Sequence, residues 1–302
     1  MKSIVLGVLI ILIFASQGFC FVTDTTAWEP SSGLLTAYES GRDMPLQSGS
    51  HYDQDLFVTT MTLMVPGEKF GFGIEVPRIH KRLRILGSDS VEKSVDYETW
   101  GDVKIVAKYQ FGVYRPYRFL GKDRLLNILV SLVGKLKLPT ASTDLATLGN
   151  TPLPVKLQPG NGSTDATLGF MVHFDSREYF RIHSHIMYSF PVSHDGFRPG
   201  ESLHYTLDFM MVKLGIKDQF YPTIGIEGMW HASSKMAGAV MKKTEGVNLY
   251  LNPGIQSSWW YFSSLEMFMM IESGVQIRLV DTSDAMPGPD YGCYIGMRVY
   301  FR

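Results

Sequence analysis

Cysteine is almost missing from this chain, with only Cys20 and Cys293 among 302 residues. Cys20 lies at the end of an apolar leader, so removal of that leader after Cys20 leaves one thiol. Neither a disulfide framework nor a cysteine-based metal site is then available. An excess of one charge is missing as well. The 28 basic residues nearly cancel the 29 acidic ones, which gives no reason to expect nucleic acid. Beyond the leader, no apolar run reaches the roughly 20 residues of a membrane helix. An exported chain lacking such a helix is either soluble or crosses a membrane as a closed barrel. In hydrocarbon only helices and closed barrels satisfy their backbone hydrogen bonds.

The leader itself is explicit. Lys2, the apolar run from Ile4 to Phe14 and the small residues Ser16 and Gly18 read as a secretory signal over residues 1–20. Cleavage is expected after Gly18 or Cys20, and the bulky Phe19 argues against lipid attachment at Cys20. Residues 21–302 then form a single domain. Aromatic side chains make up 13% of the chain, and the run Trp259–Trp260–Tyr261–Phe262 suits a ring of aromatics at a membrane interface.

Alternation with a period of two dominates the remainder. In 164–175, Ala166, Leu168, Phe170, Val172 and Phe174 share one face, while Asp165, Thr167, His173 and Asp175 share the other. After a two-residue break, Phe180, Ile182, Ile186, Tyr188 and Phe190 oppose Arg181, His183, His185 and Ser189. This hairpin is too long and too apolar on one side for an ordinary soluble sheet. Similar segments are expected at 33–40, 55–65, 70–80, 100–112, 125–138, 164–175, 178–191, 202–213, 220–232, 247–256, 265–280 and 291–301. Their number, twelve, is even, as bacterial barrels require. Segment 55–65 alternates too poorly to assign its faces.

The connections support the same topology. Gaps at 41–54, 81–99, 139–163, 192–201, 233–246 and 281–290 are mostly long. Those at 66–69, 176–177, 214–219 and 257–264 are short, with 113–124 an exception. Long extracellular loops alternating with short periplasmic turns are the pattern of an outer-membrane barrel. The rhythm requires the weakly marked strand at 33–40. Without it, the long loops face the wrong side. The expected fold is therefore all-β, a transmembrane antiparallel β-barrel of about twelve strands. A secreted antiparallel sandwich is the alternative, and it has difficulty with so many large apolar side chains on long strands.

Opposite the apolar rows lie the side chains expected to line the interior: Lys104, Lys108, Lys135, Lys137, His173, Arg181, His183, His185, His204, Asp208, Glu227, Arg278 and Arg298. Charges in a narrow interior must pair with one another or be reached by water. Two outcomes stay open: these residues simply satisfy the interior, or they select a solute. Histidine pairs two apart on a strand are a weak metal signal, and no cofactor is expected. Ser202, His204 and Asp208 share a face, but Asp208 lies four positions beyond His204, about 13 Å along a strand. That spacing is too great for a hydrolytic triad, and Ser184 falls on the lipid side. Asn161–Gly162–Ser163 reads as a turn, and the glycines flanking Phe72 read as a bend or a place of close packing. The basic-aromatic run Tyr114–Arg115–Pro116–Tyr117–Arg118–Phe119 reads as a loop suited to lipid headgroups.

Several of these motifs occur in an order that resembles the outer-membrane barrels associated with the MetA pathway of phenol degradation. Trp100–Gly101–Asp102 opens one strand and Lys135–Leu136–Lys137–Leu138–Pro139–Thr140 leaves another. Gly160–Asn161–Gly162–Ser163–Thr164–Asp165 opens the next. Leu251–Asn252–Pro253–Gly254–Ile255–Gln256 and Gly274–Val275–Gln276–Ile277 are similar to the closing hairpins of that family. The resemblance runs from about residue 50 to the terminus and rests on turn and strand punctuation. It implies a barrel that passes or binds a small apolar or aromatic molecule, and it carries over no substrate residue. One departure is the C-terminus, where Phe301 is followed by Arg302.

The expected function is thus a bacterial outer-membrane channel or transporter for small, hydrophobic or aromatic molecules, surrounded by outer-membrane lipid and not an enzyme. A structural or interaction barrel with a plugged lumen is the second reading, and a membrane-embedded lipid hydrolase the third. Selectivity is expected from lumen width, charge pattern and the connections 81–99 and 139–163. The sequence does not indicate an oligomeric state.

Overall fold

The computed structural model describes residues 32–45, 51–66, 69–86, 92–119, 122–143, 145, 147–148, 151–152, 157–176, 179–193, 196–215, 219–241, 244–257, 260–262, 267–282 and 289–301. The expected signal sequence lies outside these residues. The strands are β1 (Ser32–Pro45), β2 (His51–Pro66), β3 (Phe70–Leu86), β4 (Glu92–Trp100), β5 (Lys104–Phe119), β6 (Lys122–Lys137), β7 (Thr147–Leu148) and β8 (Thr151–Pro152). They continue with β9 (Asp165–Asp175), β10 (Arg181–Pro191), β11 (Phe197–Arg198), β12 (Ser202–Met210), β13 (Phe220–His231), β14 (Lys235–Met236) and β15 (Ala239–Val240). The last are β16 (Gly246–Ser257), β17 (Trp260–Phe262), β18 (Met267–Asp281) and β19 (Tyr291–Phe301).

Twelve antiparallel staves close into one barrel, in the order β1, β2, β3, β5, β6, β9, β10, β12, β13, β16, β18 and β19. Closure comes from β1 pairing with β19, with Ser32 opposite Val299 and Ser40 opposite Tyr291. The weak first strand is therefore the one that seals the ring and removes its edges. β4 extends the stave of β5, because both pair with β3 across a short irregularity at residues 101–103. There the amide of Gly101 donates to the carbonyl of Pro77 at 2.8 Å. β17 extends β16 along β18 in the same way.

Strand lengths correct three details of the sequence reading. Segments 41–54 and 81–99 are mostly strand, so the wall formed by β1 to β4 rises well above the rest instead of ending in long loops. The residues Tyr114–Phe119 belong to β5 and not to a loop, which leaves only 120–121 between β5 and β6 and removes the exception to the short turns. β12 stops at Met210, and its expected last residues form a single 3-10 turn at Val212–Leu214.

A single-layer closed sheet has one interior, so the alternately buried positions identify it. Inward residues on neighbouring strands are Val106, Val133, Met171 and Met187, each no more than 3% exposed. Outward residues such as Phe72, Ile74, Ile105, Leu132, Leu136, Leu168, Phe170, Ile186, Leu207, Ile226, Val275 and Ile295 are all exposed. Such a band is costly in water and matches hydrocarbon. Exposed Trp100, Trp230 and Tyr291 stand at the loop end of the band, and Phe70, Tyr261 and Phe262 at the turn end. On β3 and β4 the outer face changes abruptly above Val76. Arg78 pairs with Glu98 at 2.8 Å, while His80 and Arg82 meet Asp96 at 2.8 and 3.2 Å. These charges place the raised wall outside hydrocarbon. Partial burial raises the Asp96 pKa, but hydrogen bonds and charge from His80 and Arg82 outweigh it and leave the carboxyl below its usual range.

Candidate functional site

Register brings the polar faces of non-neighbouring sequence segments together inside the barrel. Lys104 opposes Lys137, and Val106 opposes Lys135, across β5 and β6. Lys137 opposes Asp165 across β6 and β9, while His173 opposes His183 across β9 and β10. His183 opposes Asp208 across β10 and β12, and Thr206 opposes Glu227 across β12 and β13. Across β16 and β18, Tyr250 opposes Arg278, and Met270 opposes Arg298 across β18 and β19. Lys108, opposite Val133, lies on the same inner row. Of the thirteen residues singled out from the sequence, Lys108, Lys135, His173, His185 and Glu227 are buried. Ser184 points outward and donates its hydroxyl proton to the carbonyl of Thr206 at 2.9 Å. Cys293 is also outward, exposed and unbonded to sulfur.

At the loop end, the 138–164 connection turns into the barrel. Its Leu157 is completely buried among Tyr52, Leu83, Ile85 and Tyr97 of the raised wall. The Tyr97 hydroxyl donates to the Leu157 carbonyl at 2.6 Å. Burial pushes the Tyr52 phenol up to about 12 and raises that of Tyr97 as well. The root of this connection is held by Lys137, whose ammonium lies 2.5 Å from Asp165 and 3.5 Å from Asp102. It also donates to Asn161 Oδ1 at 2.6 Å. Asn161 in turn accepts from the Ser163 amide at 3.1 Å across Gly162, whose φ is 71°. The turn reading of Asn161–Gly162–Ser163 is the structural one, with a left-handed residue that glycine supplies without strain.

Below the connection is a cavity of about 200 Å³ lined by Lys104, Lys135, Lys137, Asp165, Thr167, Met187, Ser189 and His204. Behind its wall, Glu75 lies 3.4 Å from Lys135 and 3.7 Å from Lys104. A second cavity of about 230 Å³ lies toward the mouth, where Pro191, Phe197, Pro199 and Ala232 supply apolar surface. Its lining also includes Asn161, Asp165, Ser189, Ser202, His231, Ser234 and Thr244. Underneath the inner cavity, Val106, Val133, Met171 and Met187 make a compact apolar tier.

Glu227 anchors the longest polar chain. His204 Nε2 donates to its Oε1 at 2.9 Å, and Asn252 and Gln276 donate to Oε2 at 3.0 and 2.9 Å. A carboxylate only accepts, so His204 Nε2 is the donor to Glu227. His204 Nδ1 lies 3.2 Å from His185 Nε2, and His185 Nδ1 lies 3.0 Å from the Thr206 hydroxyl oxygen. Elsewhere Arg298 holds Glu272 at 2.9 Å, Arg181 holds Asp175 at 3.3 Å, and Arg278 meets Asp281 at 3.0 Å and also Asp290. His183 and Asp208 are 3.8 Å apart. Among the described residues, no three His, Cys, Asp or Glu side chains form a metal-binding group. His204 is committed to His185 and Glu227, and Asp208 faces His183, so the shared parity of Ser202, His204 and Asp208 does not assemble a triad.

Several interior features escaped the sequence. Glu75 follows the inward parity of Gly71 and Gly73 and was recoverable from alternation. Leu157 carries no periodic signal. Gly254 and Gly274, read as punctuation, are inner-wall residues: a Cβ on either would come within 2.7 and 2.4 Å of the Tyr294 side chain. Their missing side chains let that ring lie flat across the neighbouring strands.

No protein-family model matches the chain, and no curated protein does. Among solved structures, the COG4313 outer-membrane channel from Pseudomonas putida F1 is similar over 93% of this chain and 100% of its own, with a TM-score of 0.61 at 12% identity. The transport unit of the autotransporter AIDA-I from Escherichia coli is matched over 93% of both chains, with a TM-score of 0.46 at 11% identity. The first likeness shows the fold, and the second is too distant to argue from. The chain is a twelve-stranded closed antiparallel β-barrel similar in fold to that solved channel. Its closer resemblance to the MetA-pathway barrels stands on the sequence motifs alone.

Proposed function

We propose that this protein is a passive outer-membrane channel for small molecules. The observation that carries the reading is the contrast between its two faces. An apolar band surrounds a closed ring, while the interior holds charged side chains around cavities at its loop end. A polar interior with spare volume favours a solute path. The apolar surface of Pro191, Phe197 and Pro199 near the mouth fits a cargo with a hydrophobic or aromatic body, which is also what the resemblance to MetA-pathway barrels implies. No catalytic step belongs to this reading.

A second reading, a plugged barrel with an interaction role, draws on the apolar tier of Val106, Val133, Met171 and Met187 and on the dense interior pairing. Planar-bilayer recording of the mature chain separates the two. Stepwise single-channel currents after verified insertion are expected for the channel. Inserted, heat-modifiable protein that neither conducts nor admits solute into proteoliposomes refutes it.

A further inference from the structure

The inner and outer cavities share Asp165 and Ser189 in their linings, so they adjoin. Their chemistry differs sharply: lysines line the inner one, and proline and phenylalanine line part of the outer. The three lysines are not equivalent. Lys137 is held by Asp165 at 2.5 Å and by Asn161 at 2.6 Å. The Lys135 side chain is only 4% exposed and lies against Glu75 at 3.4 Å. Lys104 is 39% exposed and shares that same carboxylate at the longer distance of 3.7 Å. It is the cation most open to an incoming group.

The one acid on the inner lining, Asp165, is already engaged at both oxygens. Oδ2 meets Lys137, and Oδ1 accepts from the Ser163 hydroxyl at 2.6 Å. Thr167 and Ser189 lie 2.8 Å apart through their hydroxyls, and only one of their two protons is spent in that contact. A second hydroxyl proton thus lines the same cavity as Lys104. Both imidazole nitrogens of His204 are used within the Glu227 chain. The inner cavity therefore offers one accessible ammonium and one hydroxyl donor, a set that suits a carboxylate.

We propose that the two cavities form one binding site for a small organic carboxylate. Its anionic group sits against Lys104 and the Thr167–Ser189 hydroxyls, and its apolar body lies against Pro191, Phe197 and Pro199. This assignment rests on reading the barrel as a small-molecule conduit and gives that conduit a substrate class. Joined, the volumes of about 200 and 230 Å³ fall at the small end of the roughly 300–1,000 Å³ of sites for drug-sized ligands. A single ring or short chain fits, whereas a long lipid does not. A neutral analogue of the same shape gains the apolar contact but loses the ion pair, which is strengthened away from bulk water.

Calorimetry on the full mature chain in lipid nanodiscs tests this, with benzoate and benzyl alcohol as probes and empty nanodiscs as the blank. Benzoate is expected to bind about tenfold more tightly than benzyl alcohol, the scale of one charge-assisted contact. Lys104→Gln should weaken benzoate by a similar factor and leave benzyl alcohol unchanged, while Lys104→Arg restores the preference. Equal binding of the two probes, absence of benzoate binding, or indifference to Lys104→Gln in a heat-modifiable barrel overturns the site. Intact benzoate discrimination without bilayer conductance would instead sink the conduit reading and leave the site standing.

Discussion

Replacing Leu132 by arginine tests the assignment of the barrel's faces most directly. Leu132 is 42% exposed on the outer side of β6, between Tyr109 on β5 and Phe170 on β9. The outward row of this strand runs from Ile128 to Leu136, eight residues apart, or about 26 Å along a strand. A tilt of about 40° reduces that to roughly 20 Å of membrane depth, with Leu132 at the middle. From there the guanidinium must travel about 10 Å to reach headgroups, beyond easy snorkelling. Arginine at the midplane of a barrel costs roughly 2–4 kcal/mol, a factor of about 30 to 700 in the folding equilibrium. Urea titration in phospholipid vesicles, read by the heat-modifiable gel band, measures this loss. The paired control is Lys104→Gln, on an inward and partly solvated side chain, for which less than about 1 kcal/mol is expected. The Lys135→Gln change that alternation suggests is a poorer control, because Lys135 is buried 3.4 Å from Glu75. Equal stabilities for Leu132→Arg and wild type would refute the claim that this row faces hydrocarbon.

Two further predictions concern packing and pH. Gly274→Val should block folding, since even its Cβ would come within 2.4 Å of the Tyr294 ring, and Tyr294→Ala in the same chain should restore a heat-modifiable barrel. Restoration failing while Tyr294→Ala alone folds would show that the glycine serves something else. Asp96 has a folded pKa below its unfolded value of about 3.9. Its pairing therefore contributes fully above that value and is lost as pH falls through the lower folded pKa. Hydrogen exchange over residues 93–99, corrected for intrinsic rate, should be faster in Asp96→Asn than in wild type at pH 7. The two should converge once the pH drops below the folded pKa. A difference that persists unchanged in acid would contradict this.

Each of the twelve expected segments coincides with one stave, although the ends moved. The alternation of 125–138 specified both the lipid row of Leu132 and the inner row of Lys135, because a strand turns successive side chains to opposite sides. Hydrocarbon on one face left little ambiguity about direction. The raised wall was missed for a related reason: Arg78, His80 and Arg82 alternate with Ile79, Lys81 and Leu83, but there the charged row is the outer one. Polarity that marks the interior within a membrane marks the exterior above it.

By itself, the sequence determined how many staves the barrel has and, where alternation is clean as in 125–138, which side chains share a face, since a period of two is a local property. Only the closed structure decided what those side chains meet. Glu227 is joined by His204, Asn252 and Gln276 from three other staves. Leu157 enters a seat made by β2, β3 and β4, and Lys104 shares Glu75 with Lys135. These partners are set by how far adjacent strands are staggered around the ring and by where the long connection folds back. Neither quantity is written in the alternation of any single strand.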